Sequence, residues 1–312
     1  MTGPRSRRSL LRAGALGVVG LAGCVGELAD APGESDDSPT GTTRTASPDE
    51  TGETTGTASP TTEATASGDV SPLAVADVRV QSSFVYLTTP DSMDVHAPDG
   101  TQFAFVDVRL RASSTSESLP TTPEFALVAD GRRFSPTTEP GPTYNPWAVA
   151  ERGPPYDPDE TTTGWVCFEL PNPLDAESAA LTYPAAGRTV SESLGAAARS
   201  ALAAPPTEFE LAAFAAPASA GRDESFDVSV TAENVGETDG VFRGSLNQES
   251  PTYAPYPFAL SIPAGERRTW TRTFGRHLGG DVDRMDFDLR TPVGDREASV
   301  TVASGPDATS TE

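Results

Sequence analysis

The run 226–233 (FDVSVTAE) constrains this chain most: Phe226, Val228, Val230 and Ala232 share one face, and Asp227, Ser229, Thr231 and Glu233 share the other. A side-chain period of two belongs to a strand with one buried face and is incompatible with a helix. Runs of the same kind recur at 208–213, 242–246, 258–262, 270–274, 285–289 and 298–302, punctuated by Gly, Pro, Asp and Asn. About seven short strands in roughly 100 residues, with no long helical period between them, predict an antiparallel β-sandwich. The preceding half follows the same rule less regularly. Ala76, Val78 and Val80 alternate with Asp77, Arg79 and Gln81, and apolar runs follow at 100–110 (GTQFAFVDVRL), 125–131 (FALVADG) and 164–171 (GWVCFELP). The expected fold class is all-β, with two antiparallel β-sandwiches over 73–188 and 206–303. Between them, 189–205 is expected to be a spacer, with a short Ala-rich helix at 191–203 stopped by Pro205 and Pro206.

The chain ahead of the first strand has a different character. From Val25 to Pro72 it contains no aromatic residue and is built from Thr, Ser, Gly, Pro, Glu and Asp. Such a stretch buries too little apolar surface to offset its conformational entropy, so 24–72 is expected to be a disordered acidic tether. A flexible coil of that length spans about 35–40 Å. The last residues, 304–312, are expected to be a disordered tail.

Residues 1–23 have the layout of an export signal. Arg5, Arg7, Arg8 and Arg12 form a positive region without acids, and an uncharged run from Ala13 to Ala22 follows. That run is too short for a membrane span, which needs about 20 apolar residues, and has the length of a signal-peptide core. Ser6, Arg7, Arg8, Ser9, Leu10 and Leu11 resemble the twin-arginine consensus, and Leu21-Ala22-Gly23-Cys24 resembles the lipobox of prokaryotic lipoproteins. The resemblance implies cleavage before Cys24 and lipidation of its sulfur, hence a protein held at the outer face of the cell membrane. With Cys24 so used, Cys167 has no partner within the chain.

Composition excludes one class of partner. Acids outnumber arginines 45 to 22, there is no lysine, and the formal charge is −23. Nucleic-acid phosphates would repel such a chain. Acid and arginine in place of lysine resemble a haloarchaeal protein, in which high salt screens this self-repulsion.

Two further resemblances concern the β regions. The segment 226–236 (FDVSVTAENVG), with Pro263-Ala264-Gly265-Glu266 before the next strand, resembles the cell-adhesion-related immunoglobulin-like domains of prokaryotic surface proteins. The order of runs 100–110, 125–131 and 164–171 resembles a lipoprotein-associated immunoglobulin-like family of unknown function, interrupted here by a Pro-rich insertion at 135–163. Both imply immunoglobulin-like sandwiches, and neither brings catalytic residues.

Candidate binding residues come from two patterns. With Ala104, Val106, Val108 and Leu110 on one face of their strand, Phe103 and Phe105 fall on the other, together with Asp107. In the same way, Val166, Phe168 and Leu170 leave Trp165 and Cys167 facing outward. Strict alternation predicts a second apolar face, covered by the 191–203 helix, the Pro-rich insertion or a partner; a β-bulge returning these side chains to the core is the alternative. The second pattern is the pair of loops 142–147 (PTYNPW) and 251–256 (PTYAPY), which place Tyr144, Trp147, Tyr253 and Tyr256 in proline-stiffened surroundings. Such aromatics suit sugar or protein recognition, or else pack over the ends of the sandwiches.

Chemistry finds less support. Asp91, Asp94, His96 and Asp99, and again Asp281, Asp283, Asp286 and Asp288, are acidic groupings of the kind an acid-rich chain produces without a metal. His96 and His277 are the only histidines, no GxSxG or HExxH motif is present, and the absence of lysine excludes a P-loop. No catalytic residue, metal or cofactor is assigned. The expected function is a lipid-anchored surface module, displaying its sandwiches to another envelope protein or a glycan. The alternative is a lipid-anchored hydrolase with a loop-built site, which would place His96 or His277 in a deep pocket.

Overall fold

The computed structural model describes residues 71–111, 118–137, 148–275, 278 and 281–303. The signal, the lipobox, the tether and the C-terminal tail lie outside the described residues. So do His277, Tyr144 and Trp147.

The described chain is mostly β, in antiparallel sheets with one short helix. Its first part contains β1 (Leu73–Gln81), β2 (Phe84–Thr89), β3 (Ser92–His96), β4 (Thr101–Leu110), β5 (Ala126–Ala129), β6 (Arg132–Phe134), β7 (Thr163–Pro171), β8 (Ala179–Ala185) and β9 (Arg188–Ser193). Strands β1, β4 and β7 form one sheet in the order β1-β4-β7, a second runs β6-β5-β8-β9, and β2 pairs with β3 as a separate hairpin. Ala104, Val106, Val108, Leu110, Val166, Phe168 and Leu170 from the first sheet meet Leu127 and Leu181 from the second, with Phe125 beside them, in one core. Two tight hairpins build the second sheet. Asp130 and Gly131 join β5 to β6, and Ala186 and Gly187 join β8 to β9, with positive φ at all four positions. Two successive residues at positive φ match the right-handed twist of the strands they connect.

Helix α1 (Gly195–Leu202) is shorter than expected, because β9 holds the chain extended through Ser193. Nor is it a free spacer. Ala198 and Leu202, four residues apart on one helical face, are buried in the first core. The helix's C-terminal carbonyl of Leu202 accepts hydrogen bonds from the Leu174 amide (2.8 Å) and from Gln102 Nε2 (2.8 Å).

The second part contains β10 (Phe209–Ala215), β11 (Ser219–Gly221), β12 (Ser225–Asn234), β13 (Gly240–Gln248), β14 (Ala254–Ile262), β15 (Arg267–Gly275), β16 (Arg284–Arg290) and β17 (Arg296–Ala303). Its sheets run β10-β12-β15 and β11-β17-β16-β13-β14, and β11 joins β17 in parallel. Phe226, Val228, Val230 and Ala232 point into the second core, against Phe242, Leu246, Phe287, Leu289 and Val300. The polar alternates stay outside and pair across strands: Thr231 with Thr269 (2.8 Å), and Thr273 donating to Asp227 (2.6 Å).

The β2–β3 hairpin of the first part touches β13 of the second. Asn247 of β13, 1% exposed, accepts from the Met93 amide through Oδ1 (3.1 Å) and donates to the Met93 carbonyl through Nδ2 (2.8 Å). One side-chain amide thereby satisfies both backbone groups of a residue on β3. Ser245 donates to the same Oδ1 (3.1 Å), which fixes the orientation of the amide.

Candidate functional site

The outward face of the β1-β4-β7 sheet has the composition that alternation implies. The β4–β7 register runs without interruption from Thr101 opposite Pro171 to Arg109 opposite Thr163, so no bulge turns Phe103 or Phe105 into the first core. The irregularity lies in β1, between Val75 and Asp77. Phe103, Phe105, Trp165 and Cys167 form a separate buried cluster with Phe84, Tyr86 and Val149. Phe84 sits edge-on to Phe103 (4.7 Å between centroids) and to Phe105 (5.5 Å), and Phe105 packs against Trp165 (5.2 Å).

The cover comes from two segments, and α1 is not among them. One is the β2–β3 hairpin, whose residues Asp91, Asp94 and His96, with Asp99 just beyond, read in the sequence only as an acidic loop. The other is the later limb of the Pro-rich insertion. Leu87 donates to the Ala148 carbonyl (2.9 Å) and Ala150 to the Val85 carbonyl (2.8 Å), so the insertion adds a short bridge to β2. Trp165 Nε1 donates to the Gly153 carbonyl (2.7 Å), and the Tyr156 amide to the Trp165 carbonyl (3.0 Å). Gly164 permits that approach: a Cβ there would lie 2.5 Å from the Tyr156 backbone. Phe103, Phe105 and Trp165 are thus buried inside the chain and not presented on its surface.

Burial sets the electrostatics of this cluster. Arg152 lies over the Phe105 ring (4.1 Å) and reaches Asp107 Oδ1 at 3.4 Å, while its Nη2 is buried without a partner. Desolvation lowers the Arg152 pKa, opposed by the Asp107 charge, and desolvation raises that of Asp107. His96 packs against Phe84 and Phe103 (5.3 Å each), and burial pulls its pKa down despite the charges of Glu169 and Asp94. Burial pushes the Cys167 thiol far above its ordinary range, which leaves it a poor nucleophile. Tyr156, its hydroxyl donating to the Pro120 carbonyl (2.9 Å), is pushed up to about 12 by burial.

The other candidates separate. Tyr253 is 60% exposed. Tyr256 is engaged, with Arg272 over its ring (3.6 Å) and its hydroxyl 3.3 Å from Gln248 Oε1. Of the acids near β16, Asp286 accepts from Ser250 (3.0 Å) and Ser299 (2.5 Å), whose hydrogen bonds help hold its pKa down, and Asp288 is paired with Arg290. Among the described residues no three His, Cys, Asp or Glu side chains converge as a metal site.

An ion pair also links the two parts. Glu151 of the insertion, itself at φ 64°, approaches Arg243 of β13, with 3.6 Å from Nε to Oε2. Neither this pair nor Asn247 is among the residues that sequence reasoning selects. The one available signal is the run 84–89 (FVYLTT) followed by Pro90-Asp91, a strand and turn that predict a hairpin.

No protein-family model matches the chain, and no curated protein matches it in sequence. Among solved structures, the chain is similar in part to β-glucosidase from Listeria innocua in complex with isofagomine, at 18% identity and a TM-score of 0.26, covering 32% of this chain and 16% of the enzyme. It is similar in part to the β-glucosidase EmGH1 from Erythrobacter marinus, at 17% identity and a TM-score of 0.27, covering 31% and 16%. Overlaps this partial carry no argument about fold or activity.

Proposed function

We propose that this chain is a lipid-anchored surface protein of a halophilic archaeon, exported by a twin-arginine signal. Its immunoglobulin-like sandwiches would be displayed for contact with another envelope protein or a glycan. The observation that carries this reading is the order of Arg7-Arg8, the uncharged run and Leu21-Ala22-Gly23-Cys24, ahead of a polar acidic stretch that ends where β1 begins. Paired antiparallel sheets around two cores support the sandwich assignment. Display without catalysis is supported by the state of the reactive groups: the Cys167 thiol is raised by burial, and His96 is packed between phenyl rings.

The test is fractionation of cells expressing single variants. Cys24→Ser is expected to release the protein into the medium, and Arg7→Lys with Arg8→Lys to hold the precursor inside. A Cys24→Ser protein that stays with the membranes would refute the anchor.

A further inference from the structure

We propose that the free edge of β15 docks an extended acidic segment of a partner protein, which adds to the β10-β12-β15 sheet as a further strand. β15 ends that sheet, and among the described residues no backbone other than that of β12 is hydrogen-bonded to it. Its nine residues pair with β12 without a break, from Gly275 opposite Ser225 to Arg267 opposite Glu233. The alternate backbone donors and acceptors on the other side are therefore laid out straight, in the form that accepts an added strand.

The other edges of the larger sheets are defended. β1 and β10 carry register breaks, between Val75 and Asp77 and between Leu211 and Ala213. β6 and β11 have three residues each, and the insertion bridges β7 at Phe168 and Trp165. β9 stops after six residues and mixes Arg188 with Glu192. β14, which flanks β15, has prolines at 255 and 257. A proline in a paired strand turns its nitrogen to the free side, so at those positions β14 has no N–H with which to close the edge of β15. The two strands touch through side chains instead: Trp270 stacks on Phe258 (4.7 Å, 19° between planes), and Arg272 lies over the Tyr256 ring (3.6 Å).

Charge selects the occupant. The run 267–276 (RRTWTRTFGR) holds four arginines and no acid, in a chain of net charge −23. Arg268, Trp270 and Arg272 stand opposite Ala232, Val230 and Val228, so they share one face of β15. Arg272 is exposed and has no acid partner among the described residues. Arg268 meets Glu266 only in an exposed ion pair, of the kind that changes partners at little cost. Two copies of β15 would set these arginines against one another, which disfavours pairing between like chains. An added strand with an acid two residues to either side of an apolar residue places its acids across from Arg268 and Arg272 and the apolar residue against Trp270. This inference rests on the reading of the chain as a surface that contacts another protein, and it gives that contact a site.

The experiment is titration of labelled peptides with the full chain, carrying Cys24→Ser, in molar salt, read by fluorescence anisotropy. The acidic peptide is centred on Glu-Thr-Leu-Thr-Glu and its control on Arg-Thr-Leu-Thr-Arg. The acidic peptide is expected to bind saturably and the control at least about fivefold more weakly, since ion pairs in direct contact survive that ionic strength. Arg268→Gln together with Arg272→Gln should erase the preference. Two further acidic peptides carry N-methyl groups on alternate amides, one in each phase. A strand added to an edge pairs along one side only, so one of these should bind at least about tenfold more weakly than the parent and the other about as well. That comparison leaves β15 unaltered and keeps the test decisive if the arginine variant does not fold. Absence of saturable binding, equal binding of the basic control, equal effects of the two N-methyl patterns, or self-association of the chain through β15 in place of peptide binding would overturn the proposal. Each of these outcomes is distinct from a failure of the anchor, which the fractionation of Cys24→Ser reads separately.

Discussion

Replacing Asn247 by leucine tests the junction with little change in side-chain size. The native amide accepts from the Met93 amide and donates to the Met93 carbonyl, at a position 1% exposed. Leucine does neither, and it leaves both backbone groups of Met93 without a partner. Each stranded group costs about 1–3 kcal/mol when desolvated, and Met93 is only half-buried, so the variant should lose about 2–4 kcal/mol. Asn247→Asp separates polarity from shape. The ionised carboxylate still accepts from the Met93 amide but sets a second oxygen against the Met93 carbonyl, and its burial raises its pKa in the folded state. Its charge therefore costs stability above the unfolded-state pKa, increasingly until the folded-state value is passed. Lowering the pH restores an O–H donor and should recover much of the loss. The assay is urea unfolding in molar salt followed by circular dichroism, with midpoints read at several pH values. A leucine variant within about 0.5 kcal/mol of the parent would show that the Asn247–Met93 pair is incidental.

Three further outcomes follow from the buried face and the charge balance. Because burial lowers the His96 pKa, the unfolded state binds the proton more readily, so this residue subtracts stability as pH falls below about 6.5 towards its folded value. His96→Gln should flatten that part of the stability–pH curve, and an unchanged slope would refute the assignment. Cys167 should resist a thiol reagent at pH 8 in the folded protein and react on addition of urea, whereas equal rates in both states would mean that the aromatic cover opens freely. The protein should lose its sheet signal as salt is lowered and regain it in molar salt, and full structure in dilute buffer would contradict the halophilic reading.

Legibility differs from strand to strand. Where one face is buried and the other wet, as in β12 and β16, alternation marks the strands within a few residues. The same rule, applied to the sequence alone, places Phe103, Phe105, Trp165 and Cys167 outside the first core. It does not identify their cover. Strand β2 is apolar at three successive positions, Phe84, Val85 and Tyr86, because it is buried on both sides, and that erases the period on which the reading depends. The β8–β9 hairpin escapes notice for a different reason: Ala186 takes the positive-φ position where Asn, Asp or Gly would have announced the turn. The Ala-rich composition signals the helix but not its burial, since two small apolar residues four apart are a faint signal beside Pro205 and Pro206. Asn247 and Arg243 are invisible in principle, because their partners Met93 and Glu151 are distant in sequence and no local pattern pairs them.

The anchor is the central claim, and mass spectrometry of the N-terminal peptide from protein extracted out of native membranes tests it most directly. The account predicts a peptide that begins at Cys24 and carries the mass of a lipid on that residue, with nothing recovered from residues 1–23. An N-terminal peptide that retains Arg7 and Arg8, or one in which Cys24 is a free thiol, would contradict it.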